Sequence, residues 1–463
     1  MPVLVLLCAA QFMVILDITV VNVALPSIRA ELGIAIEDLQ WVVTAYTLAF
    51  GGLLLLGGRS ADLLGRRRVF LAGVLVFTVA SLGAALATST AALLAARIAQ
   101  GVGAAMLSPA ALALIMTTFA EGRERQRALA AWAAIAAGGG AFGVLAGGTL
   151  TETLGWAGIF LINVPIGATV ALAAVHLLPV DAPERRGRID VAGALLATGS
   201  LVALIYGLTE APSAGWGSAQ TLALLAAAAA GLGAFAVVEA RAREPLVRLA
   251  VFRRRPTVTA LVLMVCGMGT VMSAFFFSSL YLQHVLGHSA LRTGLEFLPG
   301  ALLLVVAAHA GGRLVSRAGA KPVLASGMVL GAGGALLLSG VSPDGSYAAD
   351  VLPGLLVLDI GIGLSAPAIF ITAMSGVDRD EAGVVSGLVT TSHEIGIALL
   401  LPVLSTIAAD PIGAGLDPGA VTAGFGDAFR AAAAIAIGAA LLAAAALRRS
   451  DPSPAAHPAF VHH

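Results

Sequence analysis

Among the ionisable side chains inside long apolar stretches of the chain are Asp17, Arg97, Glu296, Asp359, His393 and Glu394. A charge at the centre of a bilayer costs about 2.5 to 3.5 kcal/mol even on the lenient insertion scale, so such residues are functional candidates by default. An arginine set against Asp17 holds that carboxylate charged until a proton or a cation competes for it, which is a coupling device. A permanent packing ion pair is the competing account. Desolvation acts on Glu296, Asp359 and Glu394, and acids so placed are suited to exchanging protons or holding a cation. Glu394 is the foremost of these as a second proton site, with His393 beside it. Asn22 and Gln100 offer hydrogen bonds near Asp17 and Arg97. Tyr281 follows Phe275, Phe276 and Phe277, an aromatic run that suits either a flat apolar ligand or plain core packing.

These groups need a scaffold, and the composition says which kind. The 463 residues are 59% hydrophobic and only 11% charged, with 55 glycines and a mean hydropathy of +0.97. An average soluble domain carries roughly 25% charged residues, so the chain has too little polar surface to be a soluble globular enzyme. Equal numbers of basic and acidic residues, 26 each, give no sign of a nucleic-acid partner. Cys8 and Cys266 lie in apolar runs and suggest neither a disulfide framework nor a metal site. There is no Walker A sequence, so nucleotide hydrolysis is not expected. Gly138, Gly140 and Gly143 match a dinucleotide fingerprint only in spacing, inside an apolar run with no preceding strand.

About 20 apolar residues cross a bilayer as a helix. Dividing the chain at its charge clusters gives fourteen runs, near 3–26, 38–58, 69–87, 91–119, 128–150, 156–178, 190–210, 219–240, 257–284, 294–314, 322–341, 350–374, 382–408 and 428–447. The expected fold is therefore an all-α membrane protein with fourteen transmembrane helices. The division is checked by charge: 22 of the 26 basic residues fall on one side, leaving Arg29, Arg292 and Arg430 on the other and Arg97 within a span. By the positive-inside rule the basic side is cytoplasmic, as are both termini.

Two loops resemble each other. Gly58, Arg59, Gly65 and Arg67 are matched at the same offsets by Gly312, Arg313, Gly319 and Lys321. If they mark equivalent positions, the chain holds two six-helix bundles plus two inserted helices: 1–178, an insert with basic loops at 179–256, 257–447, and a tail at 448–463. Gly139, Gly143 and Gly147 share one helix face, a small-residue stripe that lets another backbone approach, either as a sliding contact between bundles or as static packing.

These residues resemble the major facilitator superfamily, in its fourteen-helix drug:proton antiporter branch of the EmrB/QacA type. The stretch Leu16 to Pro26 resembles the branch-specific motif of the first helix, and Arg97, Gln100, Gly101, Gly103, Ala104 and Ala105 resemble that of the fourth. Gly58, Asp62, Gly65, Arg66 and Arg67 resemble the loop signature between helices 2 and 3, with Leu63 where an arginine is usual. Tyr281-Leu282-Gln283, Leu298-Pro299-Gly300, and Gly383 with Ser386-Gly387 resemble stretches of the second half. Departures are Val144 in place of the fifth helix's proline, no arginine after Trp156, and His393-Glu394 where an Arg-Gln pair is more usual.

The resemblance implies a proton-coupled exporter of lipophilic small molecules or antibiotics, cationic ones included, working by alternating access. Asp17, Arg97 and Glu394 would couple protons; Asn22, Gln100, Tyr281, Glu296, Asp359 and His393 would bind substrate. Asp62, Gly65, Arg66, Arg67, Gly139, Gly143 and Gly147 would gate. The proton gradient serves in place of a cofactor, no metal is expected, and the partners are drug, protons and membrane lipid, with the chain a monomer. Arginine outnumbers lysine 25 to 1, which fits a GC-rich bacterial genome and so a bacterial cytoplasmic membrane. A proton-coupled importer of a small metabolite and a non-transporting membrane sensor stay open as alternatives.

Overall fold

The computed structural model describes residues 2–35, 38–119, 123–178, 191–242, 249–377, 382–412 and 417–447, and among them it is helical throughout, with no strand. The helices are α1 (Pro2–Leu32), α2 (Trp41–Leu64), α3 (Arg66–Ala85), α4 (Thr90–Thr118), α5 (Arg123–Leu154), α6 (Ala157–Leu161), α7 (Asn163–Leu177), α8 (Val191–Ala214), α9 (Ala219–Arg241), α10 (Arg255–Leu280), α11 (Ala290–Ala318), α12 (Ala320–Leu338), α13 (Leu352–Ala373), α14 (Ala382–Ile412) and α15 (Pro418–Ala446). Every apolar run read from the sequence is a helix, and the sixth is the pair α6 and α7. Lipid offers no partner for free backbone groups, so long apolar stretches have no other choice.

Eleven helical stretches among the described residues are long and apolar enough to cross a membrane. Helices α2 and α8 carry shorter apolar segments, Trp41–Leu54 and Ala192–Leu208. The 32 residues of α5 begin with Arg-Glu-Arg-Gln-Arg and continue in alanine and glycine, which lowers their hydropathy. Several helices run past the apolar core. The last starts at Pro418, ten residues before the expected 428, because Asp417 accepts a hydrogen bond from the Ala420 backbone N–H and proline suits a first helical position.

The duplicated loops have one geometry. Gly65 alone separates α2 from α3 with φ 98°, and Gly319 alone separates α11 from α12 with φ 82°. Only glycine enters that backbone region without strain, which is why it recurs at this turn. Helix packing repeats as well: α2 and α3 pack on α4, and α1 on α5, as α11 and α12 pack on α13, and α10 on α14. Between the halves α5 packs on α11 and its counterpart α14 on α2, while α1 touches α10 lightly. Helices α8 and α9 pair with each other, and α8 leans on both α2 and α14.

Candidate functional site

Asp17 is fully buried at the meeting point of five helices. Its Oδ2 accepts from the Arg97 guanidinium of α4, and its Oδ1 accepts from Gln100 Nε2 at 2.9 Å and from Asn163 Nδ2 of α7 at 2.9 Å. Arg97 is satisfied in turn: Nε donates to the Val42 carbonyl of α2 at 2.8 Å, and Nη1 also donates to Gln100 Oε1 at 3.0 Å. Gln100 reaches Ser81 Oγ of α3 at 2.8 Å. The guanidinium carbon stands 4.5 Å from the Tyr46 ring centre and 5.7 Å from that of Phe160, the short helix α6 supplying the second ring. An aromatic face attracts a desolvated cation, so the rings favour the charge that the carboxylate balances.

Sequence reasoning found Asp17, Arg97 and Gln100 but not Asn163, Ser81, Tyr46 or Phe160. Asn163 had a legible signal, an amide inside an apolar run; Ser81 had none. Asn22 stands elsewhere: its Nδ2 donates to the Ile18 carbonyl at 3.1 Å and to Met272 Sδ of α10 at 3.4 Å, and its carbonyl accepts from Ser279 Oγ at 2.8 Å. It belongs to the contact between α1 and α10, not to the Asp17 cluster.

The second-half acids are dispersed. Glu394 is buried on α14 against Gly51 of α2, with Oε1 bonded to His393 Nδ1 at 2.8 Å and Oε2 without a partner. Helix α8 braces the same seam, Thr198 Oγ1 donating to the Gly52 carbonyl at 2.8 Å. Glu296 is tied to His288 Nδ1 at 2.8 Å and to Arg292 Nε at 3.0 Å, near the start of α11. It is the ion-paired border residue of its helix rather than an isolated membrane acid. Asp359 is fully buried on α13 and neither carboxyl oxygen has a hydrogen-bond partner. Tyr281 opens a π-helical turn, Tyr281–Val285, and its hydroxyl donates to the Ser342 carbonyl at 2.8 Å, pinning a loop. Phe277 packs on Phe425 and Phe429 of α15, and Phe275 on Phe297, so the aromatic run is core.

The gating candidates also settle differently. Gly139, Gly143 and Gly147 face Ile15, Thr19 and Val20 of α1, inside the first half, and do not form the contact between halves. Helix α5 has two close neighbours, α1 and α11, and the stripe lies on the face toward α1. The contact with α11 is made instead by Gly148, against Ala290 and Leu291, and by the Val144 carbonyl, against Gly294. Val144, where the resemblance expects proline, thus lies in the seam itself, and α5 runs through it as one helix. Arg67 Nη2 donates to the Val175 carbonyl of α7 at 2.6 Å, bracing the first half internally; Arg66 follows Gly65 at the start of α3. Gly383 lies in the first turn of α14, with Ser386 and Gly387 one turn on, while the Asp62 side chain falls outside what the structure describes, as do residues 179–190, 243–248 and 448–463.

On the membrane face away from Gly65 and Gly319 the two halves are stitched together. Glu152 at the end of α5 accepts from Ser289 Oγ at 3.0 Å and from the Leu291 backbone N–H at 3.2 Å, at the N-terminus of α11. Arg29 of α1 meets His284 Nε2 at 3.1 Å, and Gln283 Nε2 donates to the Val23 carbonyl at 2.9 Å. A carboxylate on exposed helix N–H groups contributes about 0.3 to 1 kcal/mol. Glu152→Ala is therefore expected to shift the protein up to about fivefold toward the state parted on this face. Spin labels at Thr153 and Leu295 read that shift as a longer distance population; an unchanged distribution removes Glu152 from the seal.

A helical membrane bundle in two related halves, with charges buried among the helices, is the architecture of secondary carriers. The chain belongs to the major facilitator superfamily, whose sequence pattern matches residues 7–401. It is 43% identical over 98% of its length, and 94% of the other chain, to the cephamycin export protein CmcT of Amycolatopsis lactamdurans. It is 40% identical over 95% of its length, and 89% of the other, to the puromycin resistance protein pur8 of Streptomyces alboniger. These relatives agree with the antiporter branch that the motifs resemble. Among solved structures, an auto-inhibited POT family peptide transporter superposes with a TM-score of 0.70 over 99% of both chains at 17% identity, a likeness of fold.

Proposed function

We propose that this protein exports antibiotic-like, lipophilic small molecules, cationic ones among them, across a bacterial cytoplasmic membrane in exchange for protons. The observation that carries the export reading is the near-full-length likeness to proteins named for antibiotic export and resistance. The coupling reading is supported by a carboxylate, Asp17, held by three donors at the junction of α1, α4 and α7, whose hydrogen bonds would weaken when it takes up a proton.

In this reading α2, α5 and α8 cross the membrane with the eleven more apolar stretches, making fourteen spans with both termini cytoplasmic. Residues 1–178 and 257–447 are the two six-helix bundles, and 179–256 the insert, whose α8 backs the α2 and α14 seam beside Glu394. The bundles rock about the α5–α11 and α2–α14 contacts, and the Glu152 seal closes one face. The protein acts as a monomer without metal or organic cofactor. The membrane potential supplies about 2.3 kcal/mol per charge per 100 mV, so exchange needs no nucleotide.

The test is efflux of ethidium, puromycin and several unrelated antibiotics from cells carrying the wild type or Asp17→Asn, with and without a protonophore. Expected is efflux that collapses with protonophore and with the substitution. Absence of efflux for every compound, from protein shown to reside in the membrane, overturns the exporter reading; accumulation inside energised cells replaces it with import.

A further inference from the structure

Among the described residues four acids are buried in the helices of the two halves, and their surroundings differ in kind. Asp17 accepts from three donors, Glu296 is bound by His288 and Arg292, and Glu394 keeps one bond, to His393. Asp359 has none, although it is wholly enclosed. Several other titratable groups on or near the elements packed against α13 are engaged elsewhere. Tyr281 donates to the Ser342 carbonyl, Tyr347 to the Glu296 carbonyl, and Asp350 accepts from the Ser346 backbone, while His309 bonds within its own helix. Lys321 sits at the beginning of α12, beside the Gly319 turn.

An ion taken from water into an apolar interior loses several kcal/mol of solvation unless donors replace it. Nothing replaces it at Asp359, so this packing accommodates the neutral acid. The carboxyl Oδ2 lies in the space that a side chain on Gly300 of α11 would take. Pro299, just before it, lacks the N–H that would bond back one turn, so α11 is loosened at the spot where it covers the acid.

We propose that Asp359 is the resident proton site of the carrier: it holds a proton as the neutral acid while α11 and α13 are closed at Gly300, and surrenders it when they part. On parting, the O–H bond breaks heterolytically, water takes the proton, and the hydrated carboxylate remains. Reclosure needs a proton back, because the dry site has no donor for the anion. Asp17, by contrast, has in Arg97, Gln100 and Asn163 the donors that Asp359 lacks. The coupling role of this site rests on the exporter reading above; its protonation does not.

Infrared spectra of lipid-reconstituted protein at neutral pH test the site without a substrate. Expected is the C=O stretch of a protonated carboxyl free of strong hydrogen bonds, lost in Asp359→Asn, retained in Glu394→Gln, and shifted in Gly300→Ala, which keeps the acid but crowds it. Asp359→Asn changes little in volume and breaks no hydrogen bond, and a monodisperse elution profile verifies its fold. A wild type without the band, a band surviving Asp359→Asn, or one unmoved in Gly300→Ala overturns the assignment. In proteoliposomes with an imposed pH gradient, Asp359→Asn is expected to lose the gradient-driven part of ethidium efflux, and retention of that part overturns the coupling role. If the band behaves as expected and no compound moves in any variant, the exporter reading fails while the proton site stands.

Discussion

Arg97→Ala is expected to cost the folded protein about 3 to 5 kcal/mol, the range for removing one partner of a buried pair. The substitution strands Asp17, which is fully enclosed, and frees the Val42 carbonyl and Gln100 Oε1 at the same time. Heating a fluorescent fusion in detergent and following its gel-filtration peak measures the loss. Arg97→Lys is expected to recover little, because one ammonium cannot meet Asp17, Gln100 and the Val42 carbonyl together while lying over Tyr46. Adding Asp17→Ala to Arg97→Ala removes the stranded charge, so the double variant should be more stable than Arg97→Ala alone. If Arg97→Ala melts like the wild type, the cluster does not hold the five helices together.

The buried charges were legible in the sequence because lipid makes any ion in an apolar run conspicuous. Their partners were not. Asn163 is 146 residues from Asp17 and Ser81 is 19 from Gln100, and nothing local marks which way either points. In water the polar face of a helix shows which side looks inward, but in lipid both sides are apolar and that periodicity fades. The glycines of α5 show the consequence: their common face was evident, yet the neighbour they chose, α1, was a matter of helix order in space. Glu296 shows the opposite weakness, since a pairing with His288 and Arg292 a few residues away decides its role and lies at a helix border. The repeat was legible through its turns, because a single-residue link between two helices demands glycine at Gly65 and again at Gly319.

The exchange of contacts between the halves gives the two seams different characters. At α5 and α11 the backbones nearly touch near Gly148 and Gly294, so this seam suits a rolling contact with few side chains to rearrange. At α2 and α14 the contact is made by an acid, Glu394, over Gly51, with α8 close behind. A change in the protonation of Glu394 would therefore be felt on one seam only, and the inserted helices stand on that side.

Two adjacent glycines on α2 provide the second large effect and its control. A methyl group at Gly57 would fall on the Ala105 carbonyl of α4, whereas at Gly58 it would meet only the Pro109 Cβ, at 3.6 Å. Backbone cannot step aside as a side chain can, so Gly57→Ala is expected to cost about 3 kcal/mol, the upper part of the usual overpacking range. Gly58→Ala should be neutral or stabilise by up to about 1 kcal/mol, since alanine is the better helix former. The two variants have the same composition and nearly the same depth, so any difference in melting temperature or in yield of monodisperse protein reports the crossing itself. The crossing matters for the charge cluster because α2 supplies the Val42 carbonyl and the Tyr46 ring to Arg97 on α4. Pushing these helices apart should lengthen those contacts and loosen the clamp around Asp17. Equal stability for the two variants would mean that α2 and α4 do not meet at Gly57.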